Sequence, residues 1–213
     1  MKVLFCKISS MKYYKGACED DVPMFGGKFV EENGYGHEEF NFLPIEMDGS
    51  SEQECVGFVE PKSNRGVRNT FHIEKIEGCE GLKKEPFVED VLVIWCAKRD
   101  LGDVTVVGWY KHATVYRDLQ DWTIIFADGT EEDRGYNVRA SVNDCTLLPV
   151  SERNRAMWNV PSAKYTKLYG FGQSMVWYPT EPEAKTYLSR LIGNIENYSG
   201  DNWLNEYPKV TSV

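Results

Sequence analysis

The chain has 213 residues, of which 42% are hydrophobic and 13% aromatic, so it can bury a sizeable core, which argues against disorder. Its 24 basic and 33 acidic side chains give a net charge of −9, which argues against a protein that coats nucleic acid non-specifically. No apolar run reaches the roughly 18 residues of a membrane-spanning helix, and the first residues lack the apolar region of a secretory signal. We therefore expect a cytoplasmic protein without a membrane partner.

The first predicted strand is the apolar run Val3–Ile8. Residues 15–54 follow as a polar, glycine-rich insert, in which we expect two short extended pieces at Lys28–Val30 and Phe40–Leu43. Gly26 and Gly27 indicate a bend of the backbone or a close approach of the main chain to another group.

A succession of strands is predicted next. Cys55–Val59 is followed by Thr70–Ile76, whose side chains alternate with the period of a half-buried strand. The continuous apolar run Val91–Ala97 is typical of a central strand buried on both faces, and Val104–Tyr110 is its expected hairpin partner after a turn at Arg99–Asp103. The remaining predicted strands are Thr114–Arg117, Trp122–Phe126, Tyr136–Ser141 and Cys145–Leu148, with a turn at Asp128–Gly129.

One helix is predicted over residues 180–198. Thr180 and Glu183 have the spacing of a capping box, and Pro182 is tolerated in a first helical turn. Apolar residues then recur with the helical period from Ala184 to Tyr198, which indicates a helix that packs one face on the sheet. With no repeat or linker in the chain, residues 1–213 are predicted to form a single α+β domain, a β-rich mixed sheet or barrel with a C-terminal amphipathic helix.

Metal and cofactor sites are not indicated. The six cysteines have no CxxC or CxxH spacing and only three histidines are present, so we expect reduced thiols, no zinc and no cofactor. The nucleophile, phosphate-loop and metalloprotease motifs of common enzymes are also missing, which favours a protein without catalytic residues. One alternative is a small metal-dependent or hydrolytic enzyme that uses the loop of residues 26–42 with His37, Glu38 and Glu39. A second alternative is a protein-interaction domain, because residues 1–60 hold 12 acidic and 5 basic side chains.

The segment of residues 91–117 carries the strongest signal for function. A buried strand that contains Trp95 leads into a second strand with Gly108, Trp109 and Tyr110. Gly108 has no side chain, so a planar group can approach the sheet there. Trp109 and Tyr110 are adjacent and face opposite sides of a strand, so at most one of them shares a pocket with Trp95. Tryptophans in strands are more often core residues, and that interpretation stays open.

The VLVIW run at residues 91–95 and the VVG triplet at residues 106–108 resemble the EVE, YTH and ASCH relatives of the PUA-like superfamily, over roughly residues 88–117. The resemblance implies a PUA-like fold and a module that reads DNA or RNA, often by holding a flipped, modified base in an aromatic pocket. In restriction or RNA-modification pathways such a module can direct an effector nuclease or another partner protein.

A flipped base needs aromatic faces for stacking and polar groups for its edge, and the neighbouring phosphates need cations. The predicted ligand-binding residues are Trp95, Trp109, Tyr110 and Asn41. The predicted contacts to the nucleic-acid backbone are Lys98, Arg99, Lys111, His112, Arg117, Arg153 and Arg155. The last two begin a stretch, residues 153–178, in which basic and aromatic residues interleave as in single-strand binding proteins. The choice of DNA or RNA, the base and the oligomeric state stay open.

Overall fold

The structure is a computed structural model that describes residues 1–26, 36–46, 52–60, 70–99, 102–125 and 129–208. Within these ranges, nine strands form one sheet. The strands are β1 (Lys2–Ile8), β2 (Pro44–Glu46), β3 (Gln53–Gly57), β4 (Phe87–Lys98), β5 (Val104–Ile125), β6 (Glu131–Ser141), β7 (Cys145–Leu147), β8 (Asn159–Val160) and β9 (Val176–Trp177). The α-helices are α1 (Val150–Arg153), α2 (Ala163–Thr166) and α3 (Lys185–Glu196). Short 3-10 turns lie at His37–Phe40, Ile73–Lys75, Val142–Asp144, Ala156–Trp158, Pro182–Ala184 and Trp203–Asn205.

The sheet is mixed. Its strand order is β2-β3-β6-β5-β4-β1-β9, and both β7 and β8 pair with β5 outside this path. β1 and β4 run parallel in the register Ile8 to Ala97, whereas the other paired strands are antiparallel. The predicted β-rich α+β class, with a mixed sheet and one C-terminal amphipathic helix, is confirmed at this level.

The prediction of separate strands at Thr114–Arg117 and Trp122–Phe126 was wrong. One strand, β5, runs from Val104 to Ile125, and its pairing with β6 shifts register between Val115 and Gln120. No glycine or proline interrupts residues 109–125, so the strand continues through this irregularity in its pairing. Phe126 lies outside the described residues.

Two further strand predictions were wrong. Thr70–Ile76 contains the 3-10 turn Ile73–Lys75, and its buried residues are Phe71, Ile73 and Ile76, so the three-residue step from Ile73 to Ile76 breaks the period of two. Phe40–Leu43 follows the 3-10 turn His37–Phe40 and continues as a hydrogen-bonded turn. The predicted piece Lys28–Val30 and the glycine Gly27 lie outside the described residues.

Both faces of the sheet are covered by apolar side chains. One core contains Leu4, Trp95 and Tyr110, and it also includes Phe42 from the predicted insert. The other core lies beneath α3 and contains Trp109. Because the strands between the two cores are buried on both faces, their sequences are continuous apolar runs.

The C-terminal helix is confirmed as α3, but the predicted capping box was wrong. A 3-10 turn, Pro182–Ala184, precedes the helix with Glu181 at its N-cap, and no side chain caps it. The Glu181 carboxylate instead accepts a hydrogen bond from Trp177 Nε1 at 3.2 Å. None of the helices in the described ranges is long and apolar enough to span a membrane.

Candidate ligand-binding site

The predicted aromatic residues lie in the two cores. Trp95 and Tyr110 are fully buried and meet edge to face with ring centroids 5.3 Å apart. Trp109 lies on the other face, stacked on Trp158 with a centroid distance of 5.6 Å. Trp109 and Tyr110 therefore lie on opposite faces of β5, as the alternation of side chains along a strand predicts. All three rings pack against the protein itself.

The planar group that approaches Gly108 is a side chain of the same chain. A Cβ atom at Gly108 would lie 2.6 Å from Cζ of Phe42 and 2.3 Å from the backbone oxygen of Thr146. Gly57 receives Trp95 in the same way, since a Cβ there would lie 2.4 Å from Cζ2 of the indole. These glycines allow aromatic rings to pack directly on the sheet.

Asn41 holds a backbone segment in place. Its Oδ1 accepts from the Phe58 amide at 2.8 Å, and its Nδ2 donates to the Phe58 carbonyl at 3.0 Å. Asn137 makes the same pair of bonds with Val59, at 3.2 and 2.8 Å. Two buried side-chain amides thus bind the backbone of residues 58–59, and the Asn41 amide is occupied by this role.

The residues of the alternative enzymatic site contact other parts of the chain. Glu38 Oε1 accepts from the Ser9 amide at 3.2 Å, and Glu39 forms an ion pair with Arg134 at 3.2 Å. Burial raises the pKa of Glu39 to about 6, against the opposing effect of the Arg134 guanidinium. The His37 ring lies 5.0 Å from the Phe58 ring. Within the described ranges no group of three potential ligands for a metal is found.

Two of the predicted phosphate-binding residues, Arg117 and Arg153, are bound to the protein's own backbone. Each guanidinium donates to three carbonyl groups, and Arg117 also pairs with Glu74 at 2.9 Å. The acceptors of Arg117 are the carbonyls of Phe71, Leu82 and Glu85. The acceptors of Arg153 are the carbonyls of Met11, Lys12 and Leu148 at 2.6, 2.7 and 2.8 Å. Both side chains join segments that are distant in sequence.

The other predicted cations are distributed over the surface. Lys111 pairs with Glu196 at 3.0 Å, His112 with Asp90 at 2.8 Å, and Arg155 with Glu152 at 2.9 Å. Arg99 donates to Asn159 Oδ1 at 2.7 Å, and the Lys98 ammonium lies 5.5 Å from the centre of the Phe25 ring. Of the seven predicted cations, Arg99 and Arg153 line one cavity.

This cavity, here called the β1/β4 cavity, lies where the parallel strands β1 and β4 both end. It has a volume of about 430 Å³. Its walls come from the segments that follow β1 and β4, from the start of β5 and from α1. The lining residues are Ser10, Met11, Lys12, Asp20, Asp21, Val22, Met24, Arg99, Thr105, Val107, Val150, Arg153 and Asn154.

The cavity has an exposed apolar wall. Val22, Met24 and Val150 line it although they are 53%, 49% and 38% exposed, and the adjacent Phe25 is 42% exposed. Exposed apolar side chains are ordinary when scattered, but a cluster of them around a concavity marks a binding site.

Polar side chains fix the shape of the cavity floor. Arg153 binds the carbonyls of residues 11 and 12, while the Asp21 carboxylate accepts from the amides of Lys12 and Tyr13 at 2.6 and 2.8 Å. Thr105 Oγ1 donates to the Arg153 carbonyl at 2.7 Å. Burial lowers the pKa of Arg153, but an arginine this basic stays charged at neutral pH. The floor therefore carries the Arg153 guanidinium and the Asp21 carboxylate, both hydrogen-bonded to the backbone of residues 11–13.

Sequence reasoning identified Arg99 and Arg153 but missed the wall formed by residues 20–25. The one available signal was the run VPMF within an otherwise acidic, glycine-rich segment. Apolar side chains in such a segment indicate contact with a core or a ligand. The local sequence does not predict that residues 22–25 lie beside the end of β4, because this contact joins distant parts of the chain.

Comparisons with known proteins give no family assignment. No family model matches the chain, and no curated protein or solved structure matches it either. The geometry of the β1/β4 cavity is therefore the basis for assigning a function.

Proposed function

We propose that this protein is a nucleic-acid recognition module of the PUA-like kind that takes one base of DNA or RNA into the β1/β4 cavity. The observation that carries the proposal is the cavity of about 430 Å³ with its exposed apolar wall beside basic side chains. Its volume falls within the range of roughly 300–1,000 Å³ that is typical of small-molecule sites. A nucleobase is planar and apolar on its faces, with polar edges, which matches this mixture of walls.

The walls supply the contacts that an extruded base requires. Val22, Met24 and Val150 offer apolar surface for the faces of the ring, and the thioether of methionine adapts its shape to such a ligand. The Ser10 hydroxyl and the Asn154 amide offer hydrogen-bond donors and acceptors for the edge. Since a flipped base loses its stacking, this surface is what offsets the cost of extrusion.

Cations near the same cavity offer contacts to the phosphates. Lys12 and Arg99 line it, and Lys98 lies beside Phe25 next to its wall. The carboxylates of Asp20 and Asp21 also line the cavity, so these cations give it a small positive balance within a chain whose net charge is −9. Binding through these groups should weaken with salt, because each neutralised phosphate releases counterions.

The PUA-like part of the proposal is supported by the mixed sheet and by the position of its parallel pair. The short apolar strand β1 leads the chain and lies beside β4, which contains the VLVIW run. The next strand, β5, contains the VVG triplet, in which the glycine permits close packing. The segments after β1 and β4 then line one cavity.

Fluorescence anisotropy with labelled oligonucleotides tests the proposal. Single-stranded and duplex DNA and RNA, with and without methylated bases, are titrated at roughly 50 to 200 mM salt. We expect binding that weakens with salt and depends on the base. Absence of binding to every probe at about 50 mM salt would refute the proposed function.

A matched pair of variants tests the site. Asn154→Trp fills the cavity from an exposed position, whereas Asn205→Trp adds the same side chain at an exposed position on a different element. We expect at least a tenfold loss of affinity for the first variant and none for the second. Equal affinities in the two variants would show that the base does not enter this cavity.

A further inference from the structure

A second concavity lies on the other side of α1 from the β1/β4 cavity. This groove, here called the α3 groove, has a volume of about 560 Å³. It lies between the exposed part of α3 and the segment that follows α1. Its lining residues are Glu152, Arg155, Met157, Ser189, Arg190, Gly193, Asn194, Asn197, Tyr198, Ser199 and Gly200.

The segment of residues 150–155 separates the two concavities. Val150, Arg153 and Asn154 line the β1/β4 cavity, whereas Glu152 and Arg155 line the α3 groove. The helical periodicity of this segment places the two sets on opposite sides. The same short segment therefore borders both concavities.

The groove presents two guanidinium groups. Arg155 is exposed and, among the described residues, forms its ion pair with the partly exposed Glu152 at 2.9 Å, and exposed pairs of this kind are weak. Arg190 lies 5.8 Å from the Tyr187 ring, and within the described ranges it forms no ion pair with a carboxylate. Both guanidiniums can therefore exchange their present contacts for a stronger anionic partner.

The remaining lining favours a phosphate-bearing ligand. The lining residues include one carboxylate, that of Glu152, and two guanidinium groups, so their net charge is positive. The hydroxyls of Ser189 and Ser199 add donors, and Gly193 leaves open space, since a Cβ there would meet no atom within 4 Å. Guanidinium groups bind phosphate oxygens in pairs of hydrogen bonds, and hydroxyls complete such sites.

We infer that the strand whose base occupies the β1/β4 cavity continues across residues 150–155, and that Arg155 and Arg190 bind the phosphates of its flanking nucleotides in the α3 groove. The inference rests on the proposed function and assigns a path to the strand. Contact with the α3 groove therefore requires a ligand that extends beyond the nucleotide whose base occupies the cavity.

The double variant Arg155→Gln/Arg190→Gln tests the path. A double variant Lys83→Gln/Lys84→Gln makes the same charge change in the turn that precedes β4, at the opposite end of that strand from the cavity. Both are titrated with a dinucleotide and with a single strand of about ten nucleotides that contain the preferred base. Circular dichroism confirms that each variant is folded.

We expect the arginine variant to bind the longer strand about tenfold more weakly and with a salt slope smaller by about 1.4, the value for two lost phosphate contacts on a single strand. Its affinity for the dinucleotide should change by less than threefold, and the lysine variant should match the wild type. If the arginine variant matches the wild type on the long strand while Asn154→Trp abolishes binding, the path is wrong and the proposed function stands. If the wild-type protein binds neither probe, both fail.

Discussion

The substitution Gly108→Ala tests how β5, β7 and the insert pack together. A Cβ atom at this position would lie 2.3 Å from the backbone oxygen of Thr146 and 2.6 Å from Cζ of Phe42. Ordinary contacts between heavy atoms need roughly 1 Å more than this. The ring of Phe42 can rotate, but the Thr146 oxygen belongs to β7, which pairs with β5 over three residues.

The expected cost follows from the two neighbours. Overpacking a well-filled core costs about 1–3 kcal/mol. A shift of β7 also weakens its ladder with β5, in which each hydrogen bond contributes about 1 kcal/mol. We therefore expect Gly108→Ala to lower the free energy of unfolding by about 3 kcal/mol, which for a chain of this size lowers the Tm by about 6–12 °C.

Thermal and urea unfolding followed by circular dichroism measure this loss, and Gly193→Ala is the matched control. Gly193 lies within α3, where a Cβ would meet no atom within 4 Å, so alanine should stabilise the helix by about 0.5–1 kcal/mol. The same substitution should thus have opposite signs at the two positions. A Gly108→Ala protein that is as stable as the wild type would refute the close packing of Phe42 and β7 on β5.

Four other substitutions have expected outcomes. Trp109→Ala should lower the free energy of unfolding by about 3–5 kcal/mol in urea titrations, because the ring is fully packed. Asn41→Ala should cost about 1–3 kcal/mol by the same measurement, since it removes two buried hydrogen bonds between the Asn41 side chain and the Phe58 backbone. Tyr110→Phe should be neutral or stabilising in urea titrations, because the buried hydroxyl has no hydrogen-bond partner among the described residues. A clear loss of stability would contradict this. The pKa of Glu39 is raised from 4.5 to about 6, so its contribution to stability is most favourable below pH 4.5 and decreases as the pH rises to 6. Glu39→Gln should remove this decrease when the free energy of unfolding is measured by urea titration between pH 4 and 7. An unchanged pH profile would contradict the raised pKa.

Local pattern was sufficient for the elements that are long and apolar. β1 and β4 were predicted near their observed positions from continuous apolar runs of strand length, and α3 from apolar residues that recur with the helical period. The opposite orientation of Trp109 and Tyr110 also followed from the sequence, since the strand period is two. The same rule failed at residues 70–76, where the buried Ile73 and Ile76 are three residues apart, the spacing of a 3-10 turn.

Tertiary structure decided which polar and aromatic residues are available to a ligand. Arg153 was a candidate for binding phosphate, but its guanidinium donates to the carbonyl of Met11, 142 residues earlier in the chain. Phe42 was placed in a polar insert, but it occupies the space that Gly108 leaves on a distant strand. The β1/β4 cavity arises in the same way, because its walls meet only when β1 pairs with β4. The sequence by itself determined the class of fold and the faces of its strands, whereas contacts between distant segments determined the site, since no local period records them.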